Sequence, residues 1–121
     1  EGRLRDEIAA NDPERYRAWR GDPAHVHFEN GESIADVHGR WRDFAASFAP
    51  HVPALVVTHD AVVRVALVDA MSRGLEGFWT ARVENGAYAV FDVAGGRWTL
   101  VEECVATHLG ALRAPIEGQA L

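Results

Sequence analysis

A single cysteine, Cys104, stands in these 121 residues, so no internal disulfide can form and the disulfide-stapled secreted scaffolds are excluded. A lone thiol in an apolar stretch fits a reducing compartment, and a cytoplasmic location is the expectation. Positive charge is scarce as well: Lys plus Arg number 12 against 18 Asp plus Glu, a net charge of −6. That balance argues against a nucleic-acid or anionic-membrane surface, and no basic run or base-stacking aromatic pattern offsets it. No apolar run approaches the length of a membrane span, and no signal-peptide pattern is visible. Internal repeats and low-complexity segments are missing too. Residues 1–121 therefore read as one soluble domain, and 48% hydrophobic residues suffice for a real core. The chain opens at Glu1, without an initiator Met, inside a charged helical pattern rather than at a natural start.

What is present is an apolar stretch, Val52 to Leu67, interrupted at Thr58-His59-Asp60. Val52 to Val57 is a short β-branched run, the pattern of a strand buried on both faces. From Ala61 to Met71 the apolar residues lie on nearly every side, with Arg64 and Asp69 as the charges, and the length suits a buried helix. His59 thus falls where a strand ends and a helix begins. Ligands bind at such junctions in open α/β sheets, and the free N–H groups of a helix N-terminus suit anions, phosphate above all. A histidine that only caps or fills space is the competing reading, and Thr58 could be a plain strand-end hydroxyl. Asp60, just ahead of an apolar helix, reads first as its N-cap.

The rest of the chain maps coarsely. Leu4 and Ile8 mark a short amphipathic helix ending near Asn11. Asp12-Pro13-Glu14 restarts a helix with an N-cap and a proline at its first position, and Gly21-Asp22-Pro23 stops it. Ser33, with Asp36 three residues on, opens a helix whose apolar residues Ile34, Val37, Trp41, Phe44 and Phe48 recur at spacings of three and four. Ala87 to Val93 and Trp98 to Cys104 alternate as two strands about the turn Ala94 to Arg97. Trp19, Trp41, Phe44, Phe48, Trp79 and Trp98 are expected in the core. Residues 110–121, with Pro115 and Gly118, read as a loosely held tail. His25 and His27 form a His-x-His pair, for which a polar loop is the favoured reading over a metal site.

Several of these segments together resemble the histidine phosphatase superfamily, the phosphoglycerate mutase-like proteins. They are Glu1-Gly2 with a charged helix, Tyr16 to Pro23, Gly31-Glu32-Ser33-Ile34-Ala35-Asp36-Val37, Leu55-Val56-Val57-Thr58-His59-Asp60, and the ending from Asn85-Gly86 to Thr107-His108-Leu109. Their order and spacing are similar to the small bacterial phosphatase branch. The resemblance implies an α/β fold in three layers, α/β/α, with a mostly parallel sheet and helices on both faces. It implies a phosphatase acting on a small phosphorylated substrate, a phosphomonoester, through a phosphohistidine, with no metal and no cofactor. A phosphoglycerate mutase-type transferase is the alternative, and so is a catalytically silent binding or regulatory relative.

The family's nucleophile is a histidine in an Arg-His-Gly motif ending the first strand, and its proton donor is a carboxylate shortly before a Trp-Glu-Gly motif. Neither lies in this sequence. Of that catalytic set only the second histidine has a counterpart, His59, whose implied role is to hold the phosphoryl group. Thr58, Asp60 and Ala61 are the implied neighbours in substrate binding, Asp60 standing where the family commonly has glycine. A carboxylate facing a phosphate repels it, so Asp60 is expected to turn toward the helix N–H groups unless the site is altered. Glu1 reads as a solvated terminal residue, and Glu32 could orient its loop. Trp19 and Phe28 flank the segment that covers the pocket in relatives.

In this fold the first strand pairs beside the strand that carries the second histidine. Without it, Val52 to Val57 becomes an exposed, flat apolar edge, an aggregation hazard. The ordered molecule is therefore expected to contain more protein. An upstream segment, a separate fragment or a partner chain, a second copy in a homodimer among them, would complete the sheet.

Overall fold

The computed structural model describes residues 4–51 and 53–113. Helix α1, Arg5–Asn11, is opened by Glu7, whose carboxylate accepts from the Leu4 N–H at 3.0 Å. Asp12 then caps α2, Pro13–Gly21, accepting from the Arg15 N–H at 3.2 Å while Pro13 occupies the first turn, where its missing N–H costs nothing. A 3-10 turn at Pro23–His25 follows. The Gly-Glu-Ser loop next leads into α3, Ile34–Ser47, through a reciprocal capping box. The Asp36 N–H donates to Ser33 Oγ at 3.2 Å and the Ser33 N–H donates to Asp36 Oδ2 at 2.9 Å. Ser33 is buried, so this cap also seals the helix end against the core.

Helix α4, Asp60–Ala70, is the centre of the molecule. Val65 and Leu67 are 0% exposed, as the all-round apolar pattern predicted. One flank packs with Trp19, Ile34, Trp41 and Phe78. The other carries Leu67 and Val68 against Ala81, with Phe91 and Leu100 of the strands alongside. A 3-10 segment, Leu75–Thr80, contributes Phe78, itself fully buried.

Strands β1, Tyr88–Ala94, and β2, Arg97–Val105, form an antiparallel hairpin with Ala94 opposite Arg97. The two-residue turn between them needs two successive left-handed residues, and Gly95 and Gly96 supply φ values of 56° and 76°. The hairpin docks through Trp98, whose indole N–H donates to the Ala45 carbonyl at 3.2 Å. Across the core the Trp79 indole donates to the Trp19 carbonyl at 3.0 Å. Phe44, expected in the core, is 37% exposed: it lies at the rim of an aromatic group, 5.7 Å from Trp41 and 5.0 Å from Phe48 between ring centroids. Trp79, Trp98 and Phe48 are half-buried.

The mostly parallel, three-layer sheet expected from the sequence is not formed among the described residues, whose two strands pair antiparallel. Residues 53–59 carry no strand pairing, and Val52 lies outside the described residues. The reason is physical: a strand needs a neighbour to satisfy its backbone groups and cover its side chains, and none pairs with this segment among the described residues. Leu55 and Val57 are each 84% exposed. Of the expected loose tail, residues 114–121 lie outside the described residues. The part before them is tied down, since Thr107–Leu112 forms a 3-10 helix and Arg113 Nε donates to Glu84 at 2.8 Å.

Candidate functional site

The chain turns from extended to helical at His59, which occupies the N-cap of α4 with φ −102° and ψ 161°. Its carbonyl accepts from the Val62 and Val63 N–H groups at 3.0 and 3.1 Å, which fixes the start of the helix. Its side chain is exposed and makes no hydrogen bond among the described residues. The N–H groups of Asp60 and Ala61, at the first and second helical positions, have no intrahelical acceptor by the geometry of a helix start. They point along the positive end of the helix dipole, an arrangement that favours an anion.

His59 rather than Asp60 therefore occupies the cap position, a correction to the N-cap reading of Asp60. Asp60 is the first helical residue, and its carboxylate turns neither to the helix N–H groups nor into the open end. It accepts from Arg64 Nε at 2.7 Å, one helical turn on. Arg64 is 5% exposed, donates from a terminal nitrogen to the Ala81 carbonyl at 2.6 Å, and lies 5.5 Å from the Trp79 ring centroid and 5.8 Å from that of Phe78. In the sequence Arg64 stands out only as a charge in an apolar helix. The signal was there: an acid and a base four residues apart share a helix face.

Thr58, His59, Asp60 and Ala61 are contiguous, and the turn gathers them at one helix end, with Thr58 exposed and Ala61 half-buried. Four of the other histidines are engaged elsewhere, and His51 is exposed. His25 pairs with Asp22 at 2.7 Å, and His27 lies 3.6 Å from Asp36. His108 shares a hydrogen bond of 3.0 Å with the Gly86 carbonyl. His38 meets Asp69 at 2.9 Å near the far end of α4, about 13 Å along the axis from Asp60 at 1.5 Å per residue. The described residues contain no group of three or more His, Cys, Asp or Glu side chains placed to hold a metal ion. Glu32 forms a two-pronged ion pair with Arg40 at 2.8 and 2.7 Å, which braces the loop before α3. Trp19 and Phe28 meet edge to face at 5.1 Å, and Glu1 and Gly2 lie outside the described residues.

Other polar side chains serve the fold. Hydrogen bonds from Ser33 hold the Asp36 carboxyl below the usual carboxylate range, and the Arg113 guanidinium does the same for Glu84. Burial, reinforced by the Glu84 charge, pushes the Cys104 thiol up, away from nucleophilic thiolate character. A cleft of about 450 Å³ opens between α3, the end of α4 and the hairpin turn, lined by Trp41, Arg42, Asp69, Arg97 and Trp98 among others. Asp69 places it at the end of α4 opposite His59.

Residues 1–106 match the histidine phosphatase superfamily (branch 1). The chain belongs to this superfamily. Phosphoserine phosphatase 1 of Hydrogenobacter thermophilus is 28% identical over 112 residues, which are 90% of this chain and 53% of that protein. Adenosylcobalamin/alpha-ribazole phosphatase of Escherichia coli is 28% identical over 90 residues, 72% of this chain and 44% of that protein. The chain thus spans about half the length of these two phosphatases. Membership agrees with the resemblance seen in the motifs, and with an α/β architecture in which helices accompany the hairpin. Among the described residues no helix is long and apolar enough to cross a membrane.

Proposed function

We propose that the protein carrying this chain is a phosphomonoesterase working through a phosphohistidine, in which His59 holds the phosphoryl group. One observation carries the reading: in a chain of this superfamily, an exposed histidine whose side chain has no hydrogen-bond partner among the described residues sits at the N-cap of a buried helix whose first N–H groups are open. An anion there meets donors already in place, which need no reorganisation as charge develops.

The chemistry runs in two steps. A nucleophilic histidine, supplied by an Arg-His-Gly segment outside these residues, attacks phosphorus, and the bond to the ester oxygen breaks as an acid protonates that oxygen. Water then attacks the phosphohistidine and releases inorganic phosphate. His59 donates to the non-bridging oxygens, where the transition-state charge gathers. The same upstream segment, or a partner chain, covers Leu55 and Val57 by completing the sheet in three layers. No metal enters these steps, so turnover survives chelation.

Phosphatase is preferred to mutase because the route from Trp19 to Ser33 is short, occupied by one 3-10 turn and a loop, and both named relatives are phosphatases. The test uses the native protein and p-nitrophenyl phosphate. Phosphate should be released, orthovanadate should inhibit, and His59→Ala should lower kcat on the order of 10²-fold or more, as for loss of a preorganised transition-state donor. Full activity in His59→Ala overturns the role of His59. Absence of turnover and of phosphohistidine in the native protein points instead to a silent relative.

A further inference from the structure

A guanidinium held at 5% exposure inside a largely apolar helix is expensive to keep, since removing a charge from water is repaid only by well-placed partners. Arg64 has two, the Asp60 carboxylate at 2.7 Å and the Ala81 carbonyl at 2.6 Å, and the rings of Phe78 and Trp79 flank it. An apolar side chain would fill the same space without a charge. What the charge does is visible at the other end of the pair. Asp60 directly follows His59, and its carboxylate, were it loose, would stand beside any anion held there and repel it.

We propose that Arg64 is a positioning residue for the phosphate site, holding the Asp60 carboxylate against the flank of α4 and cancelling its charge next to His59. This rests on the reading of His59 as the phosphoryl-holding residue. The pair behaves as one neutral unit. Removing the cation alone exposes the site to a negative charge, removing the anion alone leaves a positive one, and removing both returns the site to neutrality.

The experiment measures orthovanadate binding to the native protein by calorimetry, with melting temperatures recorded in parallel. Arg64→Gln should weaken binding on the order of tenfold, the scale of one unscreened like charge within several ångströms. Asp60→Asn alone should tighten it, and Asp60→Asn combined with Arg64→Gln should bring it back to within about threefold of the unaltered protein. A purely structural arginine would lower the melting temperature of Arg64→Gln without giving Asp60→Asn any power to restore affinity. Equal weakness in Arg64→Gln and in the double variant therefore overturns the proposal. Should Arg64→Gln fail to fold, Asp60→Asn decides alone: tighter binding supports the proposal, and equal or weaker binding refutes it. His59→Ala separates the two levels. If it leaves vanadate binding intact, the reading of the site has failed; if it abolishes binding while the Asp60 and Arg64 variants break the pattern, only the positioning role has.

Discussion

Residues 53–57 and helix α4 are neighbours of similarly apolar composition, yet they meet opposite fates. Leu67 is 0% exposed and Leu55 is 84% exposed. The helix satisfies its own backbone and needs only side-chain partners, which α3, the Leu75–Thr80 segment and β2 provide. The segment before it could form a strand only with a neighbour to pair with, because its N–H and C=O groups have no partner within the segment itself. Apolar sequence therefore specifies burial in both places, but only the helix carries its own means of achieving it. His59 sits on the boundary between them, anchored from the helix side alone.

The sharpest way to break this contrast is to truncate one leucine in each region. In the 121-residue chain Leu67→Ala should cost about 2–5 kcal/mol in urea unfolding, as for a buried leucine. Leu55→Ala should change stability by no more than about 0.5 kcal/mol. In the native protein with a completed sheet the two costs should converge, and a persistent gap there would remove the sheet-completion proposal. A smaller effect is expected from Val57→Lys, which places a charge on the open edge. Sedimentation of the 121-residue chain should show less self-association, and association of undiminished strength would put the adhesive surface elsewhere.

A further test concerns α3, which supports α4 from one side. Ser33→Ala should cost about 1 kcal/mol by removing the cap. Its pH dependence has a fixed sign. The folded Asp36 carboxyl is held below its ordinary range, chiefly by the Ser33 hydroxyl and then by the Ser33 backbone, so its contribution is present above the unfolded carboxylate range and is lost as pH falls through the depressed value. The difference between Ser33→Ala and the unaltered chain should accordingly shrink in acid; a gap that widens there contradicts the assignment.

Most local structure was legible because it depends on residues close in sequence. Asp12-Pro13 and Ser33 with Asp36 announce their helices by capping chemistry, and Gly95-Gly96 announces the hairpin by the backbone angles that turn requires. The junction at His59 was legible too, from the change of apolar pattern on either side. What the pattern could not give was the partner of a strand, since an apolar run records that it is to be covered and says nothing of by what. Nor could it place Asp60. Capping preference favoured the helix end, and a buried cation one turn along, stacked against Trp79, outweighed it. That competition is decided by tertiary packing, which brings Ala81 and Phe78 to Arg64 from a later part of the chain.

The two indole hydrogen bonds span 60 residues from Trp79 to Trp19 and 53 from Trp98 to Ala45. Each closes a long loop before anything is gained, and the two loops overlap across α4. Their consequence is kinetic. The middle of the chain cannot be sealed until both the early helices and the late hairpin have arrived, so a partly made chain ending near Ala70 leaves the Leu67 and Val68 flank of its most apolar helix open to water. Closure of this region is thereby non-local, and tryptophan burial reports it.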